Sequence, residues 1–144
     1  MPFEIRTLKI EDYEALIILW KSAGLSFRPM GRDGRDAIKR LIELDPVMFL
    51  GAFEENRLVG SVIGTFDGRR GWVNRLAVDP SYRRAGVATA LVERVEDKLR
   101  DRGARMIASL VDADNTASLG LFEKNGYKVH RDILYLSKRD SDQV

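Results

Sequence analysis

The chain has 144 residues, 44% of them hydrophobic and 32% charged. That fits one soluble domain with an ordinary core, and no apolar run comes close to the roughly 20 residues of a membrane helix. With no cysteine and a single histidine, His130, disulfides, thiolate nucleophiles and sites needing two imidazoles are excluded, and no metal site is expected. Lys+Arg 24 against Asp+Glu 22 leaves a net charge of +2, too weak for a nucleic-acid footprint over the whole surface, so an anion must be gripped locally.

The opening stretch, MPFEIRTLKIEDYEAL, carries acidic residues early and does not read as a secretory signal. Neither a repeat nor a linker divides the chain, so the expectation is one cytoplasmic domain over 1–144. Phe3 to Thr7 alternates as a half-buried strand. Ile10, Tyr13, Leu16, Ile17 and Trp20 then recur at helical steps, with Gly24 as a stop. SFRPMGRDGRD reads as an exposed loop, and Ile38, Leu41 and Ile42 mark a short helix ended by Asp45-Pro46.

Val47 to Phe53 and Leu58 to Phe66 read as strands of a hairpin, with EENR as its turn. Asp67-Gly68-Arg69-Arg70-Gly71 turns the chain into a third strand, Trp72 to Val78. The period then changes: Ala88, Leu91, Val92, Val95 and Leu99 form a helical stripe closed by Gly103. Met106 to Val111 suits a buried strand reached by a right-handed parallel crossover. Thr116 to Lys124 predicts a last helix, capped by Asn125-Gly126, and Ile133 to Leu136 a final strand. The expected class is α/β (α+β), in the order β-α-α-β-β-β-α-β-α-β: a mixed, mostly antiparallel sheet with helices on both faces.

The stretch Leu76-Ala77-Val78-Asp79-Pro80-Ser81-Tyr82-Arg83-Arg84-Ala85-Gly86-Val87-Ala88-Thr89-Ala90-Leu91 is the most informative. A strand ends at Val78, a basic loop follows, and a helix begins near Gly86. A helix N-terminus leaves backbone N–H groups unpaired and carries partial positive charge, so a loop wrapping it can hold a phosphate or diphosphate. Gly86 lets backbone approach the anion, Ala88 keeps the next turn small, and Arg83 and Arg84 add charged donors. The same residues also fit a plain helix start with solvated arginines. Other phosphate motifs are absent: GxxxxGK[ST] does not occur, and Gly60-Ser61-Val62-Ile63-Gly64 lies inside a strand.

These residues resemble the GNAT superfamily of acetyl-CoA-dependent N-acetyltransferases. Arg83-Arg84-Ala85-Gly86-Val87-Ala88 matches its R/Q-x-x-G-x-G/A motif, LAVDPSYRR its strand-to-loop passage, and Asn115 followed by SLGLFEKNGY its second conserved segment. The likeness spans nearly the whole chain in the same element order. It implies that the fourth and fifth strands splay and that the pantetheine arm of acetyl-CoA lies between them. Leu76, Ala77 and Val78 would then supply backbone hydrogen bonds, and an amide there would polarise the thioester carbonyl. Arg83, Arg84, Ala85, Gly86, Val87, Ala88 and Thr89 would hold the diphosphate. Asn115 would contact the arm, a role that coexists with capping the last helix, and Phe122 would pack near the sulfur.

The family's usual acid/base positions hold Trp72, Leu110 and Phe122, none of which moves a proton. Displaced candidates are Asp112, Asp114, Tyr127, Tyr135 and Tyr82, while His130 reads as surface. The acceptor is expected at the loop Ser26 to Asp36 and the turn 67–72, where Arg28, Arg32, Arg35, Arg69 and Arg70 would suit a carboxylate or phosphate. The implied activity is transfer of acetyl to a primary amine, on a small metabolite or on a protein N-terminus or lysine. Transfer would be direct, in a ternary complex, because no cysteine can carry the acyl group. No nucleic-acid or membrane partner is expected, and monomer and homodimer both fit. The alternative reading is a non-catalytic acyl-CoA-binding module.

Overall fold

The computed structural model of the chain describes residues 3–83 and 85–144. In order they form β1 (Glu4–Thr7), α1 (Tyr13–Ser22), α2 (Arg35–Leu44), β2 (Phe49–Glu54), β3 (Arg57–Phe66), β4 (Gly71–Val78), α3 (Val87–Asp101), β5 (Ile107–Ala108) and α4 (Thr116–Lys124). The sheet runs β1-β2-β3-β4-β5. Neighbours are antiparallel until the last pair, β4 and β5, which is parallel and joined by α3.

Both faces of the sheet are covered, which is why β2 and β3 are apolar on both sides. On one face Leu91, Val92, Val95 and Leu99 of α3 pack with Leu50, Val59, Val62 and Val73, joined by Phe122 of α4. On the other, Leu16, Leu19 and Trp20 of α1 and Ile38 of α2 pack with Phe49, Phe53, Leu58 and Ile63. Each such side chain, fully buried, contributes about 1.5–3 kcal/mol of transfer free energy. Gly60 and Gly64, which interrupt the apolar run of β3, mark where α3 comes closest. A Cβ at Gly60 would collide with Val87 and Leu91, and one at Gly64 with Val95.

Three sequence expectations are corrected. Val47 lies in the 3-10 turn Pro46–Met48, so β2 begins at Phe49. The strand expected over Met106 to Val111 pairs only through Ile107 and Ala108, opposite Gly71 and Trp72. Ile133 to Leu136 is not a strand: the segment is exposed, with Leu134 and Leu136 at 81% and 88%. A strand needs a paired neighbour, and β5, the last strand of the sheet, is itself only two residues long. The tail instead returns to the first loop, where Gln143 and Val144 lie against Gly31.

The turn before β4 is held by one carboxylate. Asp67 accepts backbone N–H bonds from Arg70 (2.7 Å) and Arg69 (2.8 Å) and one from the Trp72 indole (3.2 Å). In that order these bonds stabilise the anion and draw its pKa down to about 2, from 3.8. The folded value lies below the unfolded one, so the stabilisation is complete above about pH 4 and lost as pH falls toward 2. Asp67→Asn is therefore expected to flatten the acid limb of the stability profile across that window. Equilibrium denaturation at stepped pH measures it, and an unchanged limb would show that the turn does not depend on the charge.

Candidate functional site

The site begins with a defect in β4. Ser61 pairs with Ala77, but two residues further along β3 Ile63 pairs with Asn74, so β4 carries an extra residue. Arg75, in that bulge, sits at φ +53, in the left-handed region that a side chain tolerates at a cost of order 1 kcal/mol. A bulge bends its strand and aborts regular pairing. Past Trp72, the β4 edge facing β5 has no strand partner among the described residues.

A buried network holds the bulge in place. The Trp20 indole N–H donates to Ser61 Oγ (3.0 Å), and Ser61 donates in turn to the Arg75 carbonyl (3.1 Å). The Arg75 guanidinium lies 4.7 Å over the Trp20 ring. It donates to Asp33 Oδ2 (2.9 Å) and to the Ser26 carbonyl (2.6 Å). Asp33 Oδ2 also accepts from the Arg28 amide (2.8 Å), and the Asp33 carbonyl accepts from the Tyr13 hydroxyl (2.7 Å). The Asp33 and Arg75 side chains are only 4% and 15% exposed. Burial pulls the Arg75 pKa below its ordinary value and the Asp33 charge opposes that shift; the guanidinium still keeps its charge at any physiological pH. The first loop and the bulge are thus tied to each other through Arg75 and Asp33.

Two cavities lie beside the unpaired stretch of β4. One, of about 520 Å³, is lined by Leu76, Ala77 and Val78 of β4, by Tyr82, Arg83, Gly86, Val87, Ala88 and Thr89, and by Asn115 and Lys124. At its end Gly86 takes φ +82 as the N-cap of α3, and a Cβ there would meet nothing within 4 Å. The first hydrogen bond of α3 runs from the Ala90 amide to the Gly86 carbonyl (3.0 Å), so the preceding amides face the open end. This groove suits an elongated ligand with an anionic end and an amide-bearing arm. The second cavity, of about 570 Å³, is lined by Ser26, Arg32 and Asp33 from the loop, Asn74 and Arg75 from β4, and residues 109–112. Leu25, Leu76, Asn115 and Ser118 border both cavities.

The expected donor residues therefore gather at one groove. Leu76, Ala77, Val78, Arg83, Gly86, Val87, Ala88, Thr89 and Asn115 line it, and Ala85 packs beside it on the core. Arg84 lies outside the described residues. Asn115 does cap α4, its side-chain oxygen accepting from the Ser118 amide at 3.1 Å. Phe122 is buried, faces the second cavity, and meets Tyr127 edge-on with ring centroids 4.9 Å apart.

The displaced proton-handling candidates separate. Tyr127 donates to Glu96 (2.6 Å), and burial, then that bond, drive its pKa far above the ordinary tyrosine value. Tyr82 donates to Glu54 (2.9 Å), which likewise raises its pKa. Asp112 and Tyr135 line the second cavity; Asp114 borders neither cavity and His130 is exposed on the tail. The turn 67–71 and Trp72 do not line the second cavity, and the Trp72 indole is turned to Asp67. Leu110, in contrast, lines it. Tyr127→Phe is expected to lower the unfolding free energy by about 1 kcal/mol, the worth of its bond to Glu96. It should leave any turnover within about twofold; a hundredfold loss would return Tyr127 to the chemistry.

Sequence reasoning missed Arg75, Asp33, Ser61 and Ser118. A charge and a hydroxyl inside apolar strands were the available signals for Arg75 and Ser61. Asp33 and Ser118 carried none, since each gains its place only from tertiary contact.

Comparison with known proteins decides the lineage. The model of the acetyltransferase (GNAT) family matches residues 13–127. The chain belongs to the GNAT acetyltransferase family. It is 40% identical to an acetyltransferase of Sodalis glossinidius over 136 residues, 94% of each chain. An acetyltransferase of Pectobacterium atrosepticum is 41% identical over the same share. Among solved structures, the PaiA N-acetyltransferase of Thermoplasma acidophilum in complex with coenzyme A superposes with a TM-score of 0.79 at 23% identity. That match covers 90% of this chain and 92% of that one. This GNAT chain is thus an acetyltransferase whose fold its solved neighbours share. Among the described residues, no helix is long and apolar enough to cross a membrane, and no acidic or imidazole cluster could hold a metal ion.

Proposed function

We propose that this acetyltransferase moves acetyl from acetyl-CoA to a primary amine by direct attack in a ternary complex. The carrying observation is that two cavities share lining residues beside the unpaired stretch of β4, one ending at the N-terminus of α3 and one beneath the first loop. The diphosphate would lie on the amides from Gly86 to Thr89 with Arg83 and Arg84 beside it, and the pantetheine arm along Leu76 to Val78 and Asn115. Open space at the missing Gly86 Cβ supports that fit, since backbone donors are accessible there.

Chemically, a neutral amine attacks the thioester carbonyl, a C–N bond forms, and the thiol leaves. A backbone N–H of β4 directed at the carbonyl oxygen would stabilise the developing oxyanion. Holding the reactants in line can supply roughly 7–11 kcal/mol of the barrier, so strong acid/base groups are not obligatory. The loop and bulge, locked by Arg75 and Asp33, supply that positioning on the acceptor side. The acceptor is a small metabolite or a protein N-terminus or lysine, and a cytoplasmic location belongs to the same reading.

Two measurements test it. Calorimetry should show acetyl-CoA binding, and a thiol-release screen against amino acids, polyamines, aminosugars and peptides should find turnover. Binding with no turnover across the panel would favour a non-catalytic acyl-CoA module, and no binding would overturn the donor site.

A further inference from the structure

We propose that Ser118 is the proton relay of this acetyltransferase, its hydroxyl meeting the sulfur as the thiol departs. The inference rests on the donor and acceptor reading above. Direct transfer places the thioester where both cavities open, because reacting atoms must come within about 3–3.5 Å. Four residues border both: Leu25, Leu76, Asn115 and Ser118. Two are aliphatic. Asn115 uses its carboxamide oxygen to cap α4, and its remaining N–H groups can donate but cannot accept and pass on a proton. Ser118 is half-buried, and its hydroxyl makes no hydrogen bond to another described residue. A hydroxyl can accept and donate at once. One helical turn further on, Phe122 occupies the same face of α4 and has no proton to give.

The step balances on this chain alone. The neutral amine forms its C–N bond to the carbonyl carbon and becomes cationic. As the C–S bond breaks, its electron pair goes to sulfur. Ser118 Oγ passes its hydrogen to sulfur and takes one from the nitrogen, so the serine ends as it began, beside an amide and a free thiol.

The test uses acetyl-CoA with the best amine from the panel, and coenzyme A alone. Ser118→Ala and Ser118→Val should lower kcat ten- to hundredfold, the range for a lost hydrogen bond to a charged group. KM for acetyl-CoA should stay within about threefold. Ser118→Thr, matched to Val in shape, should recover most of the rate. The ultraviolet thiolate absorbance of the coenzyme A complex should titrate about one pH unit higher in the Ala and Val variants. An unchanged kcat, a rise confined to KM, or an unmoved thiol titration would each overturn the relay while leaving the donor site intact. A wild-type protein that fails to bind acetyl-CoA would overturn the relay together with the reading beneath it.

Discussion

Gly86→Glu is expected to abolish the thermal stabilisation that acetyl-CoA gives the wild-type protein. At a hundredfold excess over Kd the wild type should gain about 2.7 kcal/mol by mass action, and the variant close to nothing. Gly86 sits at φ +82 with open space where a Cβ would project. A glutamate there would lie in the groove at the end of α3 and set a negative charge against the amides proposed to hold the diphosphate. The left-handed backbone alone costs about 1–3 kcal/mol with a side chain present, which would lower the unliganded melting temperature. Gly86→Ala supplies the control: it carries the same backbone strain without charge and should keep part of the ligand-induced shift. A full shift in the glutamate variant would remove the cradle from the proposal.

Asp33→Asn is expected to lower the unfolding free energy by about 3 kcal/mol, because removing one partner leaves the buried Arg75 charge uncompensated. The two side chains are 4% and 15% exposed, so water can do little to screen what remains. Asparagine preserves shape, so the loss reports charge. The double replacement Asp33→Leu with Arg75→Met should cost no more than the single variant, since it removes both charges and their desolvation together. Urea denaturation of the variants measures both effects. A loss below about 0.5 kcal/mol for Asp33→Asn would place the pair among ordinary solvated ion pairs. The same variant should weaken acceptor binding more than donor binding, because Asp33 and Arg75 line only the second cavity, the one proposed to take the acceptor.

Much of the architecture was legible in local pattern. The helical stripe from Ala88 to Leu99 and the near-continuous apolar runs of the hairpin strands report burial directly, and α3, β2 and β3 lie close to where those patterns place them. The glycine after α3 was legible for the same kind of reason: Gly103 stands at φ +106, a conformation that favours glycine whatever surrounds it. Ile133 to Leu136 reads as a strand from its apolar run, which says only that a segment could pair. Whether it pairs depends on an available edge, and pairing with β5 ends after two residues.

The amino-acid sequence by itself determined the element order as far as the last helix, the two-sided burial of the sheet and the basic loop leading into Gly86, since these follow from residue spacing and backbone preference along a few turns of chain. Only the tertiary structure decided that Arg75 would break the β4 register, that Asp33 would neutralise it across 42 residues of chain, and that Ser118 would border both cavities. Those are outcomes of packing between distant segments, and no local pattern carries the distance between side chains that meet only when the sheet is assembled.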